Sequence, residues 1–529
     1  MLPIVLLFML PILGLAAPAA DDSIIYESFA KCLQRNRIPA AQVPAMLYSP
    51  TNPAFSDVLN AYVRNLRFNT TATKKPSIIA TPVDIPAVQA TVVCTKEAGL
   101  QLKTRSGGHD YEGISYVSAN PFVILDLFHL RNITFDMPTQ TAWVQAGALL
   151  GELYYAISKQ SNVLAFPAGV CPTVGAGGHI SGGGYGPLIR KHGLTVDHVV
   201  DAQIIDVNGK VLDRKGMGED LFWAIRGGGG ASFGVILAYK INLVPVPPVV
   251  TVFNVQRTRT QNASDILVQY QNTIEKWDDN LFIRVLIQPV TVDKSSNKSV
   301  RITLIGEFLG NPDGLLPLMN THLPTLGLTK ADLQEMSWVE SMLFWANYDN
   351  ATSPEALNSR VPHDGVGFLK RKSDYVQKPI PKEGLESLFD KMIELGKVGL
   401  VFNSYGGKMS QIPEDATPFP HRAGILYKIQ YSVNWHDTSD NLTKEYLGEA
   451  VKLHEFMTPF VTSNPRQAFF NYRDIDIGST TNGNNTYEEG KVYGVKYFKN
   501  NFDRLVKIKT AVDPTNFFRT EQSIPPLPK

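Results

Sequence analysis

The chain has 529 residues, which at roughly 100–200 residues per domain makes two or three packed units. A make-up of 44% hydrophobic and 19% charged residues excludes a disordered, collagen-like or coiled-coil chain, because that much apolar side chain builds a large core. Fifty Lys and Arg against 49 Asp and Glu leave a formal charge of +1, so the basic field that nucleic-acid binding requires is missing.

The opening MLPIVLLFMLPILGLAAPAADDS is an uncharged apolar run ending in small residues, and residues 1–20 read as a secretory signal peptide. Its charged n-region is absent, and the rival reading is an N-terminal membrane anchor. No later run approaches the roughly 20 apolar residues of a spanning helix. Sequons at Asn69, Asn132, Asn262, Asn297, Asn350, Asn441 and Asn484 fit a secreted glycoprotein with those positions on its surface. An oxidising compartment pairs thiols, and of the three cysteines one must be left over. Cys32 and Cys94 flank the start of the first domain and would staple the N-terminal segment to it. Cys171 lies in the glycine-rich run FPAGVCPTVGAGGHISGGGYG and reads either as a buried free thiol or as a covalent or redox centre.

Between Thr71 and Leu243 short apolar runs (PSIIATP, PFVILDL, TAWVQAG, HVVDAQIIDV, GVILAYKINLV) alternate with glycine loops and with helical stretches over Ile85–Gly99 and Leu149–Gln160. The fold class is α+β. The proline-rich Val244–Pro248 marks a boundary. Beyond it QNASDILVQYQNTIEKWDD predicts a helix, and FIRVLIQPVTV with SVRITLIGEFLG predicts two strands joined by a polar turn. EGLESLFDKMIELGKVGLVFNSYGG and AGILYKIQYSVNW add a second helix-and-strand set, so a sheet with helices on one face is expected. There is no internal repeat.

Three glycine loops stand out: RSGGHDYEG (Arg105–Gly113), VGAGGHISGGGYG (Val174–Gly186) and IRGGGGASFG (Ile225–Gly234). Glycines let backbone amides approach and point at diphosphate oxygens, and three such loops favour a large phosphate-bearing cofactor. None fits GxxxxGK[ST] or the GxGxxG fingerprint, which disfavours a P-loop kinase and a nicotinamide dehydrogenase. Arg226, before the third loop, is read either as a diphosphate partner or as a surface salt-bridge residue.

Together RSGGHDYEGISY, CPTVGAGGHISGGGYG, NYRDIDIG and DPTNFFRTEQSIPPLP resemble the plant berberine bridge enzyme-like family of secreted flavin oxidases, from about Ala30 to Pro528. The resemblance implies a flavin domain of vanillyl-alcohol-oxidase type over residues 21–248 (core about 71–248). A substrate domain would occupy 249–470, and a C-terminal segment, 471–529, would return to the flavin domain. It implies FAD held by two covalent bonds, from His109 and Cys171, with Cys32 and Cys94 left to pair. Arg105, Ser106, Gly107, Gly108, Gly175, Gly177, Gly178, Gly183, Gly184 and Asn471 become cofactor-binding positions. His179 matches the family histidine that supports attachment, and Val174 the residue that gates oxygen, where a small side chain makes an oxidase that releases hydrogen peroxide.

Oxidising an alcohol by hydride transfer requires a base for the hydroxyl proton. The resemblance gives that role to Tyr472. A phenol has a reference pKa of about 10 and needs positive charge beside it to act as phenolate. Lys428 is the candidate, and strand alternation turns Lys428 and Gln430 to one face; Tyr111 and Tyr185 complete the lining. Ala468, Phe469 and Phe470 replace the tyrosine many members carry before NYRD. Lys and Gln in YKIQY, where ring-closing members carry an acid, point away from cyclisation. The expected protein is an extracellular or cell-wall oxidase of a monolignol-type primary alcohol, with molecular oxygen as co-substrate. An oligosaccharide oxidase is the alternative, and a secreted defence protein of little turnover a third reading. Trp338, Phe344, Trp345 and Tyr348 are available to either kind of substrate. Neither metal, nucleic acid nor a membrane span is expected, and oligomeric state is left open.

Overall fold

A computed structural model describes residues 22–291, 298–480 and 485–528. The leader and the sequons Asn297 and Asn484 lie outside the described residues. Among the described residues no helix is long and apolar enough to cross a membrane.

The first part of the chain folds around two small sheets. In the first, strands Ile78–Ala80, Phe122–Asp126 and Gln101–Arg105 run parallel, with Leu47–Tyr48 antiparallel at the edge. The apolar run at 122–126 is buried on both faces, as a strand covered by helices requires. Helix Ile85–Glu97 connects strand Ile78–Ala80 to strand Gln101–Arg105. Its start is set by Asp84, whose carboxylate accepts the Ala87 N–H at 2.9 Å. Cys94 on this helix forms a disulfide with Cys32 on helix Asp22–Arg35. At a sequence separation of 62, that link stabilises the fold by about 4 kcal/mol through the unfolded chain's lost entropy. The second sheet is antiparallel, in the order Ile133–Asp136, Thr141–Gln145, Val235–Asn242, Val199–Ile205, Val211–Leu212.

Directly after the proline-rich stretch, Val250–Thr258 enters a seven-stranded antiparallel sheet. Its order is Leu333–Met336, Val250–Thr258, Lys298–Phe308, Leu281–Thr291, Gly399–Ser404, Tyr427–Trp435, Phe368–Val376. Helices Ala263–Thr273, Lys382–Leu395 and Asp440–Phe456 cover one face. The alternation is clean: Tyr427, Ile429, Tyr431 and Val433 join the helices' core, and Lys428 and Gln430 point the other way. The same phase sends Leu281, Ile283, Val285 and Ile287 to the helices and Arg284 to the opposite face.

That opposite face is closed by the first part of the chain and by the C-terminal segment, which share one core. Helix Asn501–Val512 packs on helix Arg214–Ile225. Buried Lys509 ties the C-terminal segment down, donating to the carbonyls of Ser232 and Phe518, each at 2.7 Å, and to Asp513 at 2.6 Å. Asp513 in turn accepts the N–H groups of Phe517 and Phe518, which is the physical content of the DPTNFF motif. The architecture is α+β, with a flavin-type domain and a large antiparallel sheet.

Candidate active site

A deep cavity runs where the first two sheets, the large sheet and the C-terminal segment meet. Its walls include Ser106, Gly107, Gly108, His109 and Tyr111 of the first glycine loop, and Cys171, Val174, Gly175, Gly177, Gly178, His179 and Tyr185 of the second. Gly229, Gly230 and Gly234 of the third complete the wall, together with Asn471 and Tyr472. The backbone there is crowded from behind and open in front. Gly108 has φ +70°, and a side chain on it would collide with the Tyr62 carbonyl; one on Gly175 would strike Ser106. A Cβ on Gly178 would meet nothing within 4 Å, because that residue faces open cavity.

His109 and Cys171 both line this cavity, and the Thr173 hydroxyl lies 3.0 Å from His109 Nε2. Burial, reinforced by Arg64, pushes the His109 imidazole down to about 3, so it is neutral and its nitrogen lone pair is available. Cys171 is the free cysteine, deep in the protein yet open to the cavity. Burial raises its thiol, with Arg284 and Arg371 pulling the other way. His179 Nε2 accepts the Gly169 N–H at 3.1 Å, which leaves the ring proton on Nδ1. Burial and then Lys428 hold its pKa down to about 3. Asn471 Nδ2 donates to the His179 carbonyl at 2.9 Å.

At the large-sheet end the hydroxyls of Tyr185 and Tyr472 share a short hydrogen bond. The Tyr111 ring lies 5.7 Å from that of Tyr472, and Gln430 Nε2 donates to the Tyr111 hydroxyl at 3.1 Å. Lys428 differs from expectation. Its Nζ has no hydrogen-bond partner and sits over ring faces, 3.3 Å from the Tyr185 centroid and 4.4 Å from that of Tyr472, behind the cavity wall. Burial drives the lysine well below its ordinary value and Tyr472 well above, so the surroundings favour a neutral pair over a resting ammonium–phenolate. The cation whose field lowers both Tyr185 and Tyr472 is Arg284, which the sequence reading missed. Its signal was present: in LFIRVLIQPV it is the one charged residue, in the phase opposite Leu281, Ile283, Val285 and Ile287.

Other expectations are corrected by position. Arg105 is turned away from the cavity, its guanidinium bonded to Asp126 at 2.7 and 2.9 Å and to the carbonyls of Val58 and Leu59. Gly183 and Gly184 lie outside the cavity wall, packed against Phe419 and Thr195. Arg226 stacks on Phe222 instead of reaching a diphosphate. Trp338, Phe344, Trp345 and Tyr348 do not line the cavity. Trp345 backs Arg284, 5.2 Å from its guanidinium, and donates its Nε1 to buried Glu307 at 2.8 Å.

Two ionic links tie the His109 loop to the Tyr472 loop. Asp110 meets Arg473 at 2.8 Å, so the residues next to His109 and Tyr472 are paired directly. Beneath them Lys370 joins Glu112 at 2.5 Å and Asp474 at 2.8 Å, and Lys372 joins Asp474 and Asp476.

Family models place this arrangement. The FAD binding domain model matches residues 76–214 and the berberine and berberine-like model residues 468–525. Berberine bridge enzyme-like 21 of Arabidopsis thaliana is 55% identical over 521 residues, covering 98% of this chain and 95% of that protein. The chain belongs to the berberine bridge enzyme-like family. It is an FAD-linked oxidoreductase. Among solved structures of similar proteins, BBE-like #28 from Arabidopsis thaliana has a TM-score of 0.87 at 43% identity, covering 95% of this chain and 100% of that one. Phl p 4, a grass pollen allergen with glucose dehydrogenase activity, has a TM-score of 0.89 at 42% identity over the same shares. The cavity suits the flavin this family binds: Gly178 leaves open space no side chain fills, and one nucleophile from each of two loops faces it.

Proposed function

We propose that the chain is a secreted oxidase of a CH–OH donor, with FAD held through both His109 and Cys171 and with oxygen taking the electrons to give hydrogen peroxide. The observation that carries this reading is the hydrogen-bonded Tyr185–Tyr472 pair in the same cavity as His109 and Cys171. Bound FAD supplies the acceptor for the hydride. Around it, Ser106, Gly107, Gly108, Gly175, Gly177 and Gly178 would hold the cofactor, and His179, fixed by Gly169 and Asn471, would support its attachment. Tyr472 as phenolate takes the donor's hydroxyl proton, steadied by the Tyr185 hydroxyl and by the field of Arg284. Tyr111, held by Gln430, positions the donor, and Lys428 shapes the tyrosines from behind.

Between the two donor classes, the reducing-end hydroxyl of a sugar is better supported than a monolignol. A monolignol calls for a short apolar pocket, whereas this end presents Tyr111, Tyr185, Tyr472 and Arg284. The glucose activity of Phl p 4 points the same way, and it also makes allergen and enzyme compatible descriptions of one relative. Oxygen use is supported by a variant pair of that protein. An isoleucine-to-valine variant is a glucose oxidase, while an asparagine-to-histidine variant five positions further on is a glucose dehydrogenase. This chain carries Val174 and His179 at the same spacing. Export is supported by exposed sequons at Asn132, Asn262, Asn350 and Asn441, with Asn69 half-buried.

The test is an anaerobic titration of the purified holoenzyme with glucose, cello-oligosaccharides and coniferyl alcohol, followed by air. Bleaching of the flavin by a sugar and recovery with peroxide supports the reading. Reduced enzyme that stays reduced in air for minutes refutes the oxidase assignment.

A further inference from the structure

We propose that Arg473 grips the diphosphate of FAD, so that the cofactor itself fastens the C-terminal segment to the flavin domain. The inference rests on FAD binding and goes beyond the oxidase reading, because it holds for any donor. Among the described residues, the lysines and arginines of the cavity wall are Lys103, Arg284 and Arg473. Arg284 stands at the reacting end, with its Nε given to Asn403 at 2.9 Å. Burial holds the Lys103 ammonium below its ordinary value and Glu521 pulls it back up. The fields of Asp110 and Arg473 also reach it, so Lys103 lies close to that ion pair.

Arg473 is held so that part of its fork is left over. Asp110 is locked by its own turn, its Oδ1 accepting the N–H groups of Glu112 and Ile114 at 3.0 and 3.2 Å. Its Oδ2 takes Arg473 Nε at 2.8 Å, and the guanidinium stacks 4.6 Å over Phe470, another residue of the wall. Nη1 is then buried with no hydrogen-bond partner. The hydroxyl of Ser115, also on the wall, is in the same condition. A buried charged donor without an acceptor carries a full desolvation penalty, which a bound acceptor relieves. A guanidinium meets phosphate oxygens through parallel hydrogen bonds, and a hydroxyl adds a further donor.

Charge selects the diphosphate among the cofactor's parts. It carries two negative charges, whereas the glycine loops offer it neutral N–H dipoles. Arg105 is engaged with Asp126, Arg226 lies on Phe222, and Lys103 already has Glu521 at 2.7 Å. Arg473 has Asp110 through Nε alone. It belongs to the segment after Phe470 that closes the cavity, while Ser106, Gly107 and Gly108 belong to the flavin domain. A diphosphate held from both sides bridges the two, and a flavin without phosphate cannot. The contact is purely ionic and hydrogen-bonded, with no bond made or broken.

Phosphorus-31 NMR of the purified holoenzyme reads the grip directly, since the two phosphorus atoms of FAD are the signal. Arg473→Met should move the diphosphate resonances. Asp110→Asn breaks the same ion pair but keeps the arginine, and should leave them in place. Arg473→Lys, which keeps the charge without the fork, should lie between. Hydrogen exchange reads the fastening: amides of residues 471–478 should exchange about 10- to 100-fold faster in Arg473→Met than in Asp110→Asn. Resonances unmoved in Arg473→Met overturn the inference. So do resonances moved equally by Asp110→Asn, which would assign the arginine to its carboxylate alone. If Arg473→Met does not accumulate as folded holoenzyme, Arg473→Lys carries the same test, and unmoved resonances again overturn the proposal. Moved resonances with equal exchange in the two variants leave the contact standing and refute the fastening. Neither readout uses turnover, so a holoenzyme inactive on every alcohol refutes the oxidase reading alone.

Discussion

Glu307 makes a quantitative prediction about pH. It lies on the cavity-side phase of strand Lys298–Phe308, fully buried, with one oxygen accepting from Trp345 and the other without a hydrogen-bond partner. Burial raises its carboxyl from 4.5 to about 7. A carboxyl raised in the folded state binds protons more tightly there than in the unfolded chain. Its stabilising contribution is therefore complete below about pH 4.5 and is lost as pH rises to about 7. At about 1.4 kcal/mol per pH unit the loss comes to roughly 3 kcal/mol. Unfolding entropy of about 2.1 cal/mol/K per residue gives about 1 kcal/mol/K for a chain of this length, so that loss lowers Tm by about 3 °C. Glu307→Gln keeps the acceptor for Trp345 and cannot ionise. Its Tm relative to the parent should rise by about 3 °C between pH 5 and pH 8, measured by differential scanning calorimetry at equal scan rate. A Tm difference that is flat across this range, or that falls, refutes the reasoning.

Other outcomes follow from the same geometry. Tyr472→Phe should slow flavin reduction in stopped flow by ~10²–10⁴ while the flavin stays bound, and an unchanged rate removes the tyrosine from its role. His109→Ala and Cys171→Ala should each keep flavin on the polypeptide after acid precipitation, and only the double variant should release it. Flavin that washes out of both single variants argues against two bonds. Lys370→Met leaves Glu112 and Asp474 facing each other in the interior, which should cost about 3–5 kcal/mol; a melting temperature equal to the parent's would show the cluster to be neutral.

The parts of this protein that sequence makes legible are those whose signal is local. Apolar runs gave the buried strands at 122–126 and 235–242, and the phase of YKIQY gave the facing of Lys428 and Gln430. Helix limits at Ile85 and Glu97 follow from Asp84 and from the residues before Gly99. What escaped was long-range. Arg105 stands in a glycine-loop motif beside cofactor-facing residues, yet Asp126, the next strand's last residue, takes its charge. Nothing near Lys428 in the sequence says that three aromatic rings will surround its ammonium. The pairing of Asp110 with Arg473 joins residues 363 positions apart. The aromatics at 338–348 were open to either kind of substrate because side-chain type was visible and the packing of Trp338 on Tyr154 of helix Leu150–Ser158 was not.

The cavity's dependence on the final segment has a bearing on synthesis. A ribosome that has just added Gln467 has already delivered His109, Cys171 and all three glycine loops, but not Asn471, Tyr472, Arg473 or the lysine that fastens Ser232 to Phe518. Until those residues emerge, one wall is missing and the nascent chain cannot enclose a cofactor. Loading with flavin therefore belongs to the finished polypeptide, and a premature stop late in the message forfeits the whole catalyst instead of trimming its edge.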